Sequence, residues 1–232
     1  FTDPPKNITT ITKNNGKQFG NVITDMPLGV VSLSAYLKKH LNIETMAVDF
    51  NVTLNQAKEF EFKNFYSYYK SFLDTKKYKE FNPDYVAISA TFISAYLSAL
   101  DLTKLSKKLF PNAYILVGGN TSTTMYKNIL NDSPFIDAVC YGEGERPLKE
   151  LLDATDKREF LNNHSSWVTH KNIKDNISSF KHDFIDELDE IPFLDYDMLD
   201  VEGYKINPTA TRYSVSDNTM AKSNGGNGKI LE

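Results

Sequence analysis

Ala113-Tyr114-Ile115-Leu116-Val117-Gly118-Gly119-Asn120 is the stretch on which the fold turns. Its apolar run has no polar alternation, stops on two glycines, and gives way to a helical pattern over about 121–131. A strand without alternation is covered on both faces, as in a sheet lying between two layers of helices. Outward from it, Thr45–Phe50, Tyr85–Ala90 and Ile136–Cys140 read as further buried strands. Helical patterns fall between and around them, over 54–80, 93–109 and a shorter piece after Arg146. Upstream, Val30, Leu33, Leu37 and Leu41 recur at helical spacing behind Pro27, and Lys38, Lys39 and His40 sit where a helix dipole favours cations. Phe1 to Asp3 read as the tail of one more strand. The alternation predicts an α/β fold, a doubly wound parallel five-stranded sheet over residues 1–155.

Residues 156–202 change character and read as an extension, in which Trp167 and Val168 hint at another strand. Asp183 to Glu202 hold nine acids and no base, threaded with Ile185, Leu188, Ile191, Phe193 and Leu194, the pattern of an acidic arm. Residues 203–232, with Ser223-Asn224-Gly225-Gly226-Asn227-Gly228, read as a flexible tail. The aromatic stripe in 54–80 (Phe60, Phe62, Phe65, Tyr66, Tyr68, Tyr69, Phe72) reads as packing rather than a ligand platform.

Composition bounds the function. The chain has 232 residues, is 41% hydrophobic and 24% charged, and carries a net charge of −4, which argues against disorder and against a nucleic-acid binder with a basic face. No apolar run reaches the roughly 18 residues of a membrane span. The single cysteine, Cys140, cannot form an internal disulfide or hold a cysteine-ligated metal, and suits a cytoplasmic setting.

In a doubly wound sheet, ligands bind beyond the carboxyl ends of the strands. Those ends read Ser89-Ala90-Thr91, Gly118-Gly119-Asn120 and Tyr141-Gly142-Glu143-Gly144, followed by Glu145-Arg146-Pro147. Small, hydroxylic and glycine residues at three neighbouring ends let a ligand approach backbone closely. The dinucleotide and P-loop fingerprints are absent, and Glu143 and Glu145 would repel a pyrophosphate. Ser89 stands where a phosphorelay receiver needs an aspartate. The loops suit a large, mostly uncharged ligand inserted edge-on.

Several segments in order resemble the amino-terminal half of cobalamin-dependent radical S-adenosylmethionine enzymes. They are Pro4-Pro5, Pro27-Leu28-Gly29-Val30 with Ala35-Tyr36-Leu37, Val48-Asp49, Pro83 to Ser89, Pro111 to Gly119, and Gly142-Glu143-Gly144-Glu145. Leu188-Asp189-Glu190-Ile191-Pro192-Phe193 with Asp195-Tyr196 resembles the linker to the radical barrel, so the likeness covers residues 1 to about 200. It implies a flavodoxin-like domain that buries the nucleotide tail of cobalamin against the sheet. By carry-over, Ser89, Ala90 and Thr91 would line the tail; Gly118, Gly119 and Asn120 would give it clearance. Tyr141, Gly142, Glu143 and Gly144 would close the opposite side, and Pro5, Leu28 and Gly29 would approach the corrin.

The loop after the first strand has Asp3-Pro4-Pro5 and no histidine, so the resemblance implies cobalamin in a base-off state without a protein imidazole on cobalt. His40, His164, His170 and His182 read as exposed or capping residues. The sequence holds no Cys-x-x-x-Cys-x-x-Cys motif, which places the 4Fe-4S cluster and S-adenosylmethionine in a barrel outside it, the expected partner in cis. The expected function is a cobalamin-binding module of a methyl-transferring radical enzyme, itself non-catalytic. The alternatives are a docking or substrate-recognition module that keeps the fold without the cofactor, and a flavin- or nucleotide-binding domain.

Overall fold

The structure is a computed structural model that describes residues 25–57 and 62–204. Three parallel strands, β1 (Tyr85–Ser89), β2 (Tyr114–Gly118) and β3 (Ala138–Cys140), lie side by side in chain order. The crossover from β1 to β2 carries α5 (Tyr96–Leu109), entered through a short 3₁₀ turn, and that from β2 to β3 carries α6 (Asn120–Asp132). The remaining helices of the α/β unit are α1 (Leu28–His40), α2 (Phe50–Gln56), α3 (Phe65–Leu73), α4 (Lys76–Phe81), α7 (Glu145–Asp153), α8 (Lys157–Asn163) and α9 (His170–Lys174).

Both faces of the sheet are apolar because successive side chains point to opposite sides. Ile88, Ile115, Val117, Val139 and Val168 face α5 and α6, where they meet Ala99, Ile129 and Leu130. Leu116, Ala138, Cys140 and Trp167 face the other way, onto Leu37 of α1, Leu148 and Leu151 of α7 and Leu161 of α8. The lack of alternation in the sequence is thus a consequence of two-sided burial, and the α/β layering expected from it is what forms.

The strand count differs from the five expected. Four strands lie among the described residues, and the fourth, β4 (Trp167–Val168), runs antiparallel to β3, so the sheet is mostly parallel. The strand expected at Phe1–Asp3 lies outside the described residues, as do Pro5 and the tail. Thr45–Phe50 forms no strand: no described strand pairs with it, and Asp49 instead caps α2 by accepting the Asn51 amide at 2.8 Å. The expected long helix over 54–80 is divided. Asn64 caps α3 through the Ser67 amide, and α4 ends at Asn82 in a left-handed conformation. The aromatic stripe does pack: Tyr68 and Tyr69 are fully buried with Phe50, Leu54 and Leu105 in a cluster outside α5. That burial pushes both phenols up to about 12.

Residues 181–204 fold back over the domain instead of leaving it. They end in the short α10 (Val201–Tyr204), where buried Tyr204 donates to Asp49 Oδ2 at 2.8 Å. No described helix is long and apolar enough to cross a membrane.

Candidate functional site

The carboxyl ends of β1, β2 and β3 are joined by hydrogen bonds that the loops make with one another. The Ala90 amide donates to the Gly118 carbonyl at 2.8 Å, extending the β1–β2 ladder by one rung. Thr121, at the start of α6, reaches back to this loop: its amide donates to Ala90 O and its hydroxyl to Thr91 O, both at 3.1 Å. Thr123 bridges the next pair, donating from Oγ1 to Gly119 O at 3.2 Å while accepting the Gly142 amide at 3.0 Å. Ser89, Ala90, Thr91, Gly118, Gly119 and Gly142 are therefore held as one rim.

Gly119 and Gly142 supply backbone that only glycine adopts readily, with φ of +103° and +91°. At Gly119 the space is consumed by the protein itself, because a Cβ there would lie 2.9 Å from the Ala90 carbonyl oxygen. At Gly142 it is filled by His182, whose ring a Cβ would strike. His182 lies against Tyr141 and stacks on Phe184 with ring centroids 5.3 Å apart and planes 5° apart.

The rim presents an exposed hydroxyl pair, Ser89 Oγ and Thr91 Oγ1, 3.3 Å apart, next to Ala90, which is fully buried. Asn120 and Glu143 are exposed on the same edge. Directly behind Thr91, Phe92, Ile93 and Leu97 are 68%, 63% and 57% exposed, an apolar surface at the mouth of the edge. Leu28 and Gly29 stand exposed at the start of α1; a Cβ at Gly29 would meet nothing within 4 Å. One turn further on, α1 does reach the rim. Ser32 donates to the buried Glu145 carboxylate at 2.8 Å, and Leu33 lies over Gly144. Glu145 thus opens α7 as a dipole-complementing first residue with Pro147 in the same turn.

Two cavities among the described residues lie away from this edge. One of about 480 Å³ is bounded by Asp49, Thr53, Phe72, Tyr78, Leu199 and Tyr204. Another of about 450 Å³ lies between Ala35, Lys38 and the Pro192–Asp197 segment.

Cys140 closes β3 beneath the rim. Burial first, then the carboxylates of Glu145, Glu143 and Asp183, push its thiol up to about 12, which leaves almost no thiolate. Native protein at pH 8 should resist iodoacetamide while guanidinium-unfolded protein is alkylated fully; mass spectrometry showing native alkylation at Cys140 would contradict this burial.

Glu150, His164 and Asp183 bring potential metal ligands within 4.8 Å of one another. Their bonds already account for them. His164 Nδ1 accepts the Ser166 amide at 3.1 Å, so Nε2 carries the proton and donates to Glu150 at 3.1 Å, while Asp183 pairs with Arg146. The arrangement is a hydrogen-bonded brace between α7 and the extension.

Thr121, Thr123 and His182 were not legible as rim residues. The threonines read as ordinary positions in the first turn of a helix, and His182 arrives from 40 residues beyond Gly142.

A mostly parallel α/β sheet with a glycine- and hydroxyl-built rim at its carboxyl edge defines a flavodoxin-like ligand-binding domain. The chain belongs to the B12 binding domain family, whose model matches residues 24–152. It is 35% identical over 127 residues to PH0819, an uncharacterized methyltransferase of Pyrococcus horikoshii, covering 55% of this chain and 27% of that protein. It is 35% identical over 85 residues to the anaerobic magnesium-protoporphyrin IX monomethyl ester cyclase of Cereibacter sphaeroides, covering 37% and 14%. A third relative, the cobalamin-dependent radical SAM methyltransferase TokK of Streptomyces tokunonensis, is 30% identical over 70 residues, covering 30% and 10%. The matched stretch spans about a quarter or less of these relatives' length. No solved structure matches the chain significantly.

Proposed function

We propose that this chain is the cobalamin-binding module of a longer radical S-adenosylmethionine enzyme that transfers methyl groups. The observation that carries the proposal is the rim: exposed Ser89 and Thr91 hydroxyls beside glycine turns, in a chain of the B12 binding domain family. The donor set fits the group. Hydroxyls and backbone amides suit the ribose and uncharged heterocycle of the nucleotide tail, and exposed Phe92, Ile93 and Leu97 suit the apolar edge of a macrocycle. Ser89, Ala90 and Thr91 would hold the tail, with Gly118, Asn120 and the Tyr141–Gly144 turn around it. Bound cobalamin supplies a cobalt centre that carries and gives up a methyl group; this chain's residues bind and orient it.

The cofactor would be held base-off. Among the described histidines, His182 is the one at the rim, and its ring is engaged with Tyr141 and Phe184. The cluster and S-adenosylmethionine would belong to a barrel in the same polypeptide, as the presence of a radical SAM enzyme among the relatives supports.

One observation favours a second reading, a domain that keeps the fold without the cofactor. His182 covers Gly142 and fills the space over that end of the rim. The two readings separate on mixing purified protein with hydroxocobalamin and desalting. Retained visible absorbance near one equivalent is expected; a colourless protein would overturn the cobalamin reading in favour of the second.

A further inference from the structure

Residues 181–202 are attached to the domain in an unusual way. None of their side chains is buried, and none joins the hydrophobic clusters. Leu188 and Phe193, 75% and 96% exposed, point outward, while Ile191, Leu194 and Leu199 are half-buried. Half-buried Leu194, Met198 and Leu199 line shallow cavities against the domain, and polar contacts fasten the rest of its length. Arg146 of α7 pairs with Asp183. Lys39, in the last turn of α1, donates to the Glu190 carbonyl at 2.7 Å. Lys38, one residue earlier, donates to Asp195 Oδ2 at 2.7 Å, and Ser34 donates to the same oxygen. The Asp195 amide donates to Val31 O at 3.3 Å, and Gln56 donates to Asp200 at 2.6 Å.

The two ends are held differently. Lys181 exchanges bonds with Ser165 and Ser166 beside β4, and Tyr204 is buried against Asp49. Between two fixed ends, then, lies a length of chain fastened by three cations. The first of these fastenings stands next to His182, the residue that fills the space over Gly142.

We propose that residues 182–203 are a releasable ionic strap, docked across α1 by Arg146, Lys38 and Lys39, whose release withdraws His182 from the Gly142 end of the rim. The cations of these pairs are 34–39% exposed and their carboxylates 12–22%, so the pairs are partly open to solvent, and salt screens such pairs over distances near 10 Å at 0.1 M. Detachment exposes only the contact faces of half-buried residues such as Leu194 and Leu199, because no side chain of 181–202 belongs to the buried core. Opening therefore costs much less than unfolding, and it depends on charge where opening of the core does not. The proposal stands whether or not the rim takes cobalamin.

Hydrogen exchange read by mass spectrometry on the purified chain tests it. In 20 mM salt, peptides within 183–199 should be protected, and 500 mM salt should speed their exchange about three- to fivefold, the equivalent of one exposed pair. Lys38→Glu and Asp195→Lys should each produce the same loosening at low salt, and the double variant should restore protection. Peptides of β1, β2 and β3 should not change in any of these. Unprotected exchange of 183–199 in the wild type at low salt would overturn the strap. So would salt-independent protection, loosening that spreads equally to the strands, or a double variant that fails to recover. Lys38→Met, which removes the cation without reversing it, guards against misfolding of the reversed variants and should loosen the strap to a similar degree.

Discussion

Trp167→Ala should lower the stability of the folded chain by about 3–5 kcal/mol, the range for emptying a large buried aromatic site. Trp167 is 2% exposed and belongs to the cluster formed by Leu37, Leu116, Ala138, Leu148, Leu151 and Leu161. It touches both the parallel strands and the helices of the opposite layer, and its indole N–H donates to Pro147 O at 3.3 Å inside the protein. Truncation leaves a void bounded by elements that cannot all close in, and it removes one donor from the Pro147 carbonyl. Urea unfolding followed by circular dichroism measures the change; fluorescence would not serve, because Trp167 is the only tryptophan. Trp167→Phe, which keeps most of the volume, should cost well under half as much. A loss below about 1 kcal/mol for the alanine variant would mean that β4 is an ornament on the sheet and not part of its core.

Gly119→Ala should be nearly as damaging, by about 2–4 kcal/mol, although it adds one methyl group. Two costs combine: an L-residue held at φ +103° is strained by about 1–3 kcal/mol, and the new Cβ sits 2.9 Å from the Ala90 carbonyl oxygen and 3.0 Å from its carbon. Both obstacles are backbone, so neither can rotate away. Gly118→Ala is the internal control. Its Cβ would meet only Cys140 Cβ, at an ordinary 3.8 Å, and φ at Gly118 is not positive, so its cost should stay below about 1 kcal/mol. Because the clash pushes on the Ala90–Thr91 loop, hydroxocobalamin retained after desalting should fall in Gly119→Ala relative to the wild type. Equal stability of the two variants would refute the packing account of the Gly119 turn.

The three parallel strands were legible because burial on both faces leaves a continuous apolar run, and their ends were legible because glycine and hydroxyl residues interrupt it. Thr45–Phe50 carries a similar apolar run, yet Asp49 within it caps a helix, which an apolar run alone does not show. The long 54–80 pattern broke for the same reason, at Asn64 and Thr75, two residue types favoured at helix starts. β4 has two residues, too few to show any period. The rim residues at strand ends could be named from sequence, but what joins them could not. Thr121 and Thr123 act across loops brought together by the crossover helices, and no local pattern marks them. The acidic arm was visible as composition. Its fastening was not, because the cations at 38, 39 and 146 are scattered in sequence and meet it only in the fold.

The brevity of β4 has a consequence for life in a crowded solution. A parallel sheet that ended on β3 would offer a neighbour's backbone a row of open N–H and C=O groups, an invitation to grow from molecule to molecule. Two antiparallel residues, with α8 packed against them, occupy that row and leave a shorter one in its place. On this side, among the described residues, the parallel ladder closes on two antiparallel residues.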